Sequence, residues 1–101
     1  MKELIGKTPI LKLQSLSSLT GCDIYAKMEN QNPGRSVKDR AALHIVEDAI
    51  REGHLKEGGN LYESTSGSTG ISLGLICNIH KINCRIYLND DLAQEKVISL
   101  L

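Results

Sequence analysis

The chain holds 101 residues, enough for one domain and too few for two. Its twelve basic and twelve acidic side chains cancel and are scattered without a run of one sign, so nucleic acid and anionic membranes find no electrostatic footprint. No stretch approaches the ~20 apolar residues of a membrane span, and no apolar run follows Met1-Lys2 as a leader requires, so a cytoplasmic protein is expected.

Three cysteines, Cys22, Cys77 and Cys84, are odd in number and irregularly spaced, which argues against a disulfide framework and for reduced, mostly buried thiols. Phe and Trp are absent, so Leu, Ile, Val and Ala must build the core.

Taken in chain order, the turn at Gly6-Lys7-Thr8-Pro9 leads into a short strand at residues 10–13. Residues 23–29 alternate apolar and polar side chains and read as a second strand. It runs into the turn Asn32-Pro33-Gly34, where Pro sets φ and Gly tolerates φ > 0. Ser36 and Asp39 have the spacing of a capping box, which predicts a helix from Val37. Val37, Ala41, Ala42, Ile45, Val46, Ala49 and Ile50 form its apolar stripe, and Gly53 ends it.

A brief strand follows at 60–63, then the polar loop 64–70. The next helix, with Ile71, Leu73, Leu75, Ile76 and Ile79, is apolar nearly all round and therefore expected to be buried. A strand at 84–88 comes next, then a second capping box, Asp91 and Gln94, opening a helix that carries Leu92, Val97, Ile98 and Leu101. The chain stops inside that apolar pattern. Alternating strands and helices predict an α/β fold with a partial, mostly parallel sheet and flanking helices, and the sequence reads as unfinished.

Two constellations bear on chemistry. Lys38 falls in the first turn of a helix, near the positive end of the macrodipole, where partial desolvation would make its amine a better nucleophile toward a carbonyl. The alternative is one more solvated basic residue. The loop Thr65-Ser66-Gly67-Ser68-Thr69-Gly70 joins a strand to a helix and offers hydroxyls and backbone N–H groups that suit a carboxylate or phosphate. The alternative is an ordinary Ser/Thr cap with glycines for the turn. Neither a phosphate-binding Gly-Lys-Ser/Thr loop nor a G-x-G-x-x-G fingerprint is present. Cys77, His80 and Cys84 suggest zinc, but no fourth ligand lies nearby, so no metal is expected. His44 and His54 are isolated and read as surface or packing residues.

Together the motifs resemble the cysteine synthase family, within the β-family (fold type II) of pyridoxal-phosphate enzymes. NPGRSVKDR (32–40) is similar to that family's N-P-G-x-S-x-K-D-R segment, TSGSTG (65–70) to its T-S-G-N-T-G substrate loop, and IGKTPILKL (5–13) to its opening. GHLKEGG (53–59) and IYLNDDLAQEK (86–96) fall in family order. The resemblance implies that residues 1–101 are an incomplete N-terminal portion of a tryptophan-synthase-β-like domain. It also implies that Lys38 holds pyridoxal 5′-phosphate covalently and then removes the substrate's α-proton. Thr65, Ser66, Gly67, Ser68 and Thr69 would bind the substrate carboxylate, with Ser68 also meeting the cofactor.

The implied reaction is β-replacement, O-acetylserine plus sulfide giving cysteine, in a parent enzyme expected to be a homodimer. A serine/threonine dehydratase or a cystathionine-forming enzyme is the alternative within enzymes, and a non-catalytic remnant acting by protein interaction is the alternative outside them. Ser68 stands where the family commonly has Asn, in a form resembling a GSTG-type branch, and Asn89 stands where a proline is common. The family's glycine-rich phosphate loop falls beyond residue 101. Each charge-assisted hydrogen bond it would supply is worth roughly 1.5–3 kcal/mol, so little activity is expected from the 101 residues alone.

Overall fold

The computed structural model describes residues 1–89. The helix expected from Asp91 lies outside the described residues. β1 (Ile10–Lys12) and β2 (Tyr25–Lys27) pair antiparallel, with Ile10 opposite Lys27. Between them runs α1 (Gln14–Thr20), a helix the sequence reading did not place. Its Ser- and Thr-rich sequence has no cap and no wide apolar stripe, and what ends it is Gly21 at φ 71°. The second strand is also shorter than the alternation at 23–29 suggests, because pairing with β1 covers only three residues.

α2 (Lys38–Arg51) follows the 29–37 turn, and the chain then forms β3 (Asn60–Ser64), α3 (Ser68–Ile79) and β4 (Asn83–Tyr87). β3 and β4 pair in parallel from Asn60 opposite Asn83 to Ser64 opposite Tyr87, a β-α-β unit. The α/β class and a small parallel sheet are therefore as expected, while the N-terminal strands form a separate antiparallel pair.

α2 begins at Lys38, one residue later than the capping pattern suggests. The box does not close, because the Asp39 carboxylate turns away to accept from Gly34 N–H at 2.6 Å. Ser36 Oγ accepts instead from Lys38 N–H at 3.2 Å. At the other end Gly53 sits at φ 82°, with Gly53 N–H bonded to Ile50 O and His54 N–H to Ala49 O. That paired 5→2 and 6→1 closure is the Schellman stop the glycine implied.

The core lies where α2 packs on α3. Ala42 and Val46 of α2 meet Leu73, Ile76 and Cys77 of α3, with Ile82 beside them. The buried line of α2 is Asp39, Ala42, Val46, so the expected stripe is rotated: Val37 and Ile45 are half exposed. A carboxylate at its head hid that line from apolar periodicity. α3 is buried along Gly70, Ser72, Leu73, Ile76 and Cys77, as its apolar character requires.

Candidate active site

The turn that delivers Lys38 is built from polar side chains with no freedom left. Asn32, 2% exposed, accepts from Gly6 N–H at 2.8 Å through Oδ1. Its Nδ2 donates to Glu29 O, Glu29 Oε2 and Ser36 O at 2.9–3.0 Å. A side-chain amide has two donor hydrogens and an acceptor oxygen, so Asn32 stitches three chain segments together.

Beside it Arg40 donates from Nε to Glu29 Oε2 at 2.8 Å and from Nη2 to Glu29 Oε1 at 3.0 Å, a two-pronged pair that also reaches Gly6 O at 3.0 Å. Thr8 Oγ donates to Glu29 Oε1 at 2.6 Å. Hydrogen bonds from Arg40 and then Thr8 hold the Glu29 carboxyl down at about 2, against burial, which opposes them. The opening segment 5–13 and the segment 32–40 are thus one structural piece. Asn32, Asp39 and Arg40 hold together the turn that leads into α2 at Lys38.

Gly34 allows the closest approach. A Cβ there would lie 2.1 Å from Asp39 Oδ1. Arg35 follows at φ 64°, an unusual conformation for a side-chain-bearing residue, with its N–H held by Asn32 O at 2.8 Å. The turn therefore ends with Lys38 as the first residue of α2, its side chain exposed. Desolvation of that amine, expected from the sequence, is not supplied by the described residues.

The second constellation lies at the head of α3. Thr65 N–H donates to Tyr87 O at 3.0 Å, which pins the loop to the end of β4. Gly67 is buried at φ 136°, with its N–H held by Thr65 Oγ1 at 3.2 Å. Ile71 N–H closes the first helical bond to Gly67 O at 3.0 Å. The N–H groups of Ser68, Thr69 and Gly70 precede that bond and have no carbonyl within the helix to meet. Ser66 is exposed, and Ser68 and Thr69 are half-buried. This end of α3 can receive an anion.

The two constellations are joined. Ser72 Oγ donates to Asp39 Oδ1 at 2.5 Å, with both residues fully buried. Asp39 follows Lys38 directly, and Ser72 lies one turn after Ser68, so the bond sets the start of α2 beside the first turn of α3. Ser72 was missed from sequence because a lone serine in an apolar helix carries no periodic signal.

The possible zinc ligands do not assemble, and among the described residues no group of three metal-binding side chains occurs. Cys77 is buried, and burial pushes its thiol up to about 12. Cys84 is raised for the same reason, whereas Cys22 is exposed, against the expectation of mostly buried thiols. His80 faces Glu47 Oε1 at 3.4 Å, and Glu47 also takes the Lys2 ammonium at 2.6 Å. His44 and His54 are exposed.

Residues 1–100 match the family described as pyridoxal-phosphate dependent enzyme, and the chain belongs to it. It is 44% identical over 95 residues to a cysteine synthase of Dictyostelium discoideum, covering 94% of this chain and 25% of that protein. Among solved structures, a hydrogen sulfide-producing enzyme from Fusobacterium nucleatum superposes with a TM-score of 0.92 at 38% identity, covering 98% of this chain and 33% of that one. An O-acetylserine dependent cystathionine beta-synthase from Helicobacter pylori gives 0.88 at 30% identity, covering 98% and 33%. The chain thus spans a quarter to a third of the length of these relatives. No helix among the described residues is long and apolar enough to cross a membrane.

Proposed function

We propose that residues 1–101 are the N-terminal portion of a tryptophan-synthase-β-like, pyridoxal-phosphate-dependent enzyme that makes cysteine from O-acetylserine and sulfide. The observation that carries this reading is an exposed lysine at the start of α2, next to Asp39, whose buried hydrogen bond to Ser72 ties that helix start to the first turns of α3. The residues fit the aldehyde end of the cofactor, since among the described residues the Lys38 amine has no hydrogen-bond or ion-pair partner. When bound, pyridoxal phosphate supplies an electron sink for charge developing at the substrate's α-carbon.

Lys38 holds the cofactor and afterwards takes up the α-proton at Nζ. The hydroxyls of Thr65, Ser66, Ser68 and Thr69, with the backbone N–H groups of Ser68, Thr69 and Gly70 that follow the Gly67 turn, bind the substrate carboxylate and orient the α-carbon toward that amine. Ser68 also reaches the cofactor. Its hydroxyl donates as an amide would but over a shorter reach. A full-length enzyme of this kind is a cytoplasmic homodimer acting on a small amino acid, without nucleic acid or membrane partners, and the 101 residues alone turn over little or no substrate.

The cystathionine-forming alternative is supported by the likeness to the Helicobacter pylori O-acetylserine dependent cystathionine beta-synthase. A full-length polypeptide carrying residues 1–101 separates the readings when O-acetylserine is offered with sulfide or with homocysteine, and deamination of serine marks a dehydratase. A non-catalytic role would rest on the apolar residues from Val97 to Leu101, which lie outside the described residues. For the lysine itself, the chain and Lys38→Ala are each mixed with pyridoxal phosphate, reduced with borohydride and mapped by mass spectrometry. Lys38 should carry the dominant label, and equal total labelling of the two proteins would remove it from its role.

A further inference from the structure

Among the buried residues of α2 and α3 the polar side chains are one pair, Asp39 and Ser72, both with zero exposure. An apolar pair would bury as well and cost less, because a carboxylate withdrawn from water must be matched bond for bond. This one is matched. Oδ2 accepts from Gly34 N–H at 2.6 Å and Oδ1 from Ser72 Oγ at 2.5 Å. The two donors belong to the two constellations: Gly34 lies in the turn that delivers Lys38, and Ser72 in the helix whose head is the 65–70 loop.

Apolar contacts such as those of the cluster that holds Val46 and Ile76 constrain separation but tolerate sliding, whereas two hydrogen bonds to one carboxylate fix direction as well. The packing of α2 on α3 leaves the register of their first turns to be set, and Asp39, adjacent to Lys38, is where it is set.

We propose that Asp39 and Ser72 are a positioning pair that fixes the Lys38 amine relative to the anion-receiving head of α3. The inference rests on the reading of Lys38 as the cofactor-holding amine. Neither side chain meets substrate or cofactor, and both act through Lys38 and the loop. Gly34 takes part by lacking a side chain, since a Cβ would occupy the place of the carboxylate.

The test compares the chain with Ser72→Ala, Ser72→Thr and Lys38→Ala, using pyridoxal phosphate as the probe, borohydride to trap the adduct and peptide mass spectrometry to quantify each lysine. Amide hydrogen exchange over residues 34–38 and 66–70 is read on the same proteins. Ser72→Ala is expected to lower Lys38 labelling by at least roughly tenfold, the lower edge of what a lost hydrogen bond to a charged group implies, and to leave the other lysines unchanged. Exchange should speed up in both segments together, and Ser72→Thr, which keeps the hydroxyl, should restore both readouts.

Unchanged Lys38 labelling in a folded Ser72→Ala protein, or faster exchange confined to 66–70, would overturn the pair. If Ser72→Ala does not fold, Ser72→Cys, of similar size and weak donor strength, supplies the same comparison. Should the wild-type chain label Lys38 no more than its other lysines, the cofactor reading fails. The coupled exchange of the two segments still decides the pair.

Discussion

Replacing Gly34 by alanine tests the geometry that holds the lysine turn. The new Cβ would stand 2.1 Å from Asp39 Oδ1, with 2.9 Å to its Cγ and 3.0 Å to Oδ2. Ordinary contact needs close to 3.4 Å, so the carboxylate must move by more than an ångström. It cannot do so alone, being fully buried and tied to Gly34 N–H and Ser72 Oγ. Overpacking of this kind costs about 1–3 kcal/mol. Losing one or both hydrogen bonds to a buried carboxylate adds about 1.5–3 kcal/mol apiece.

The sum, roughly 2.5–6 kcal/mol with one bond lost and about 4–9 kcal/mol with both, is a large share of the about 5–15 kcal/mol that a domain has to spare. With a urea slope of about 1–3 kcal/mol per molar, the midpoint should fall by at least about 1 M, or the protein should fail to fold. The sharper assay is a double-mutant cycle. In an Asp39→Ala background the obstacle is gone, and Gly34→Ala should then cost less than about 1 kcal/mol. An equal cost in both backgrounds would refute the reasoning, since it would mean that Gly34 is needed for something other than room for the carboxylate.

Glu29 gives a pH signature. Its carboxyl is held at about 2 against an ordinary 4.5, chiefly by hydrogen bonds from Arg40 and Thr8. A depressed pKa contributes stability that is complete above the unfolded value and is lost as pH falls through the folded one. The advantage of wild type over Glu29→Gln in urea midpoint should therefore hold above pH 4.5 and shrink as pH falls to about 2. A gap that stays constant over that window would count against the Arg40 pairing. The thiols give a third check: at pH 8, iodoacetamide should modify Cys22 rapidly and Cys77 slowly, because Cys22 is exposed while burial pushes the Cys77 thiol up to about 12. Comparable modification of both under native conditions would show that α3 is not packed as described.

The local grammar of the chain was legible in its residues. Gly53 and its neighbours specify a helix stop because only glycine enters φ 82° cheaply. The apolar run at 71–79 specifies a buried helix, and the order strand, helix, strand over 60–87 specifies a parallel pair. Lys38 and the 65–70 loop could be singled out because charge and hydroxyl type at helix starts are local properties.

What the tertiary structure decided is which polar groups meet. Ser36 and Asp39 have the spacing of a capping box, yet Asp39 serves Gly34 and Ser72 instead, since packing α2 on α3 buries it. The rotation of the α2 stripe has the same origin. Spacing along a chain reports which side chains share a face, but a hydrogen bond across 33 residues depends on how two helices are set against each other, and that is settled only when the core closes.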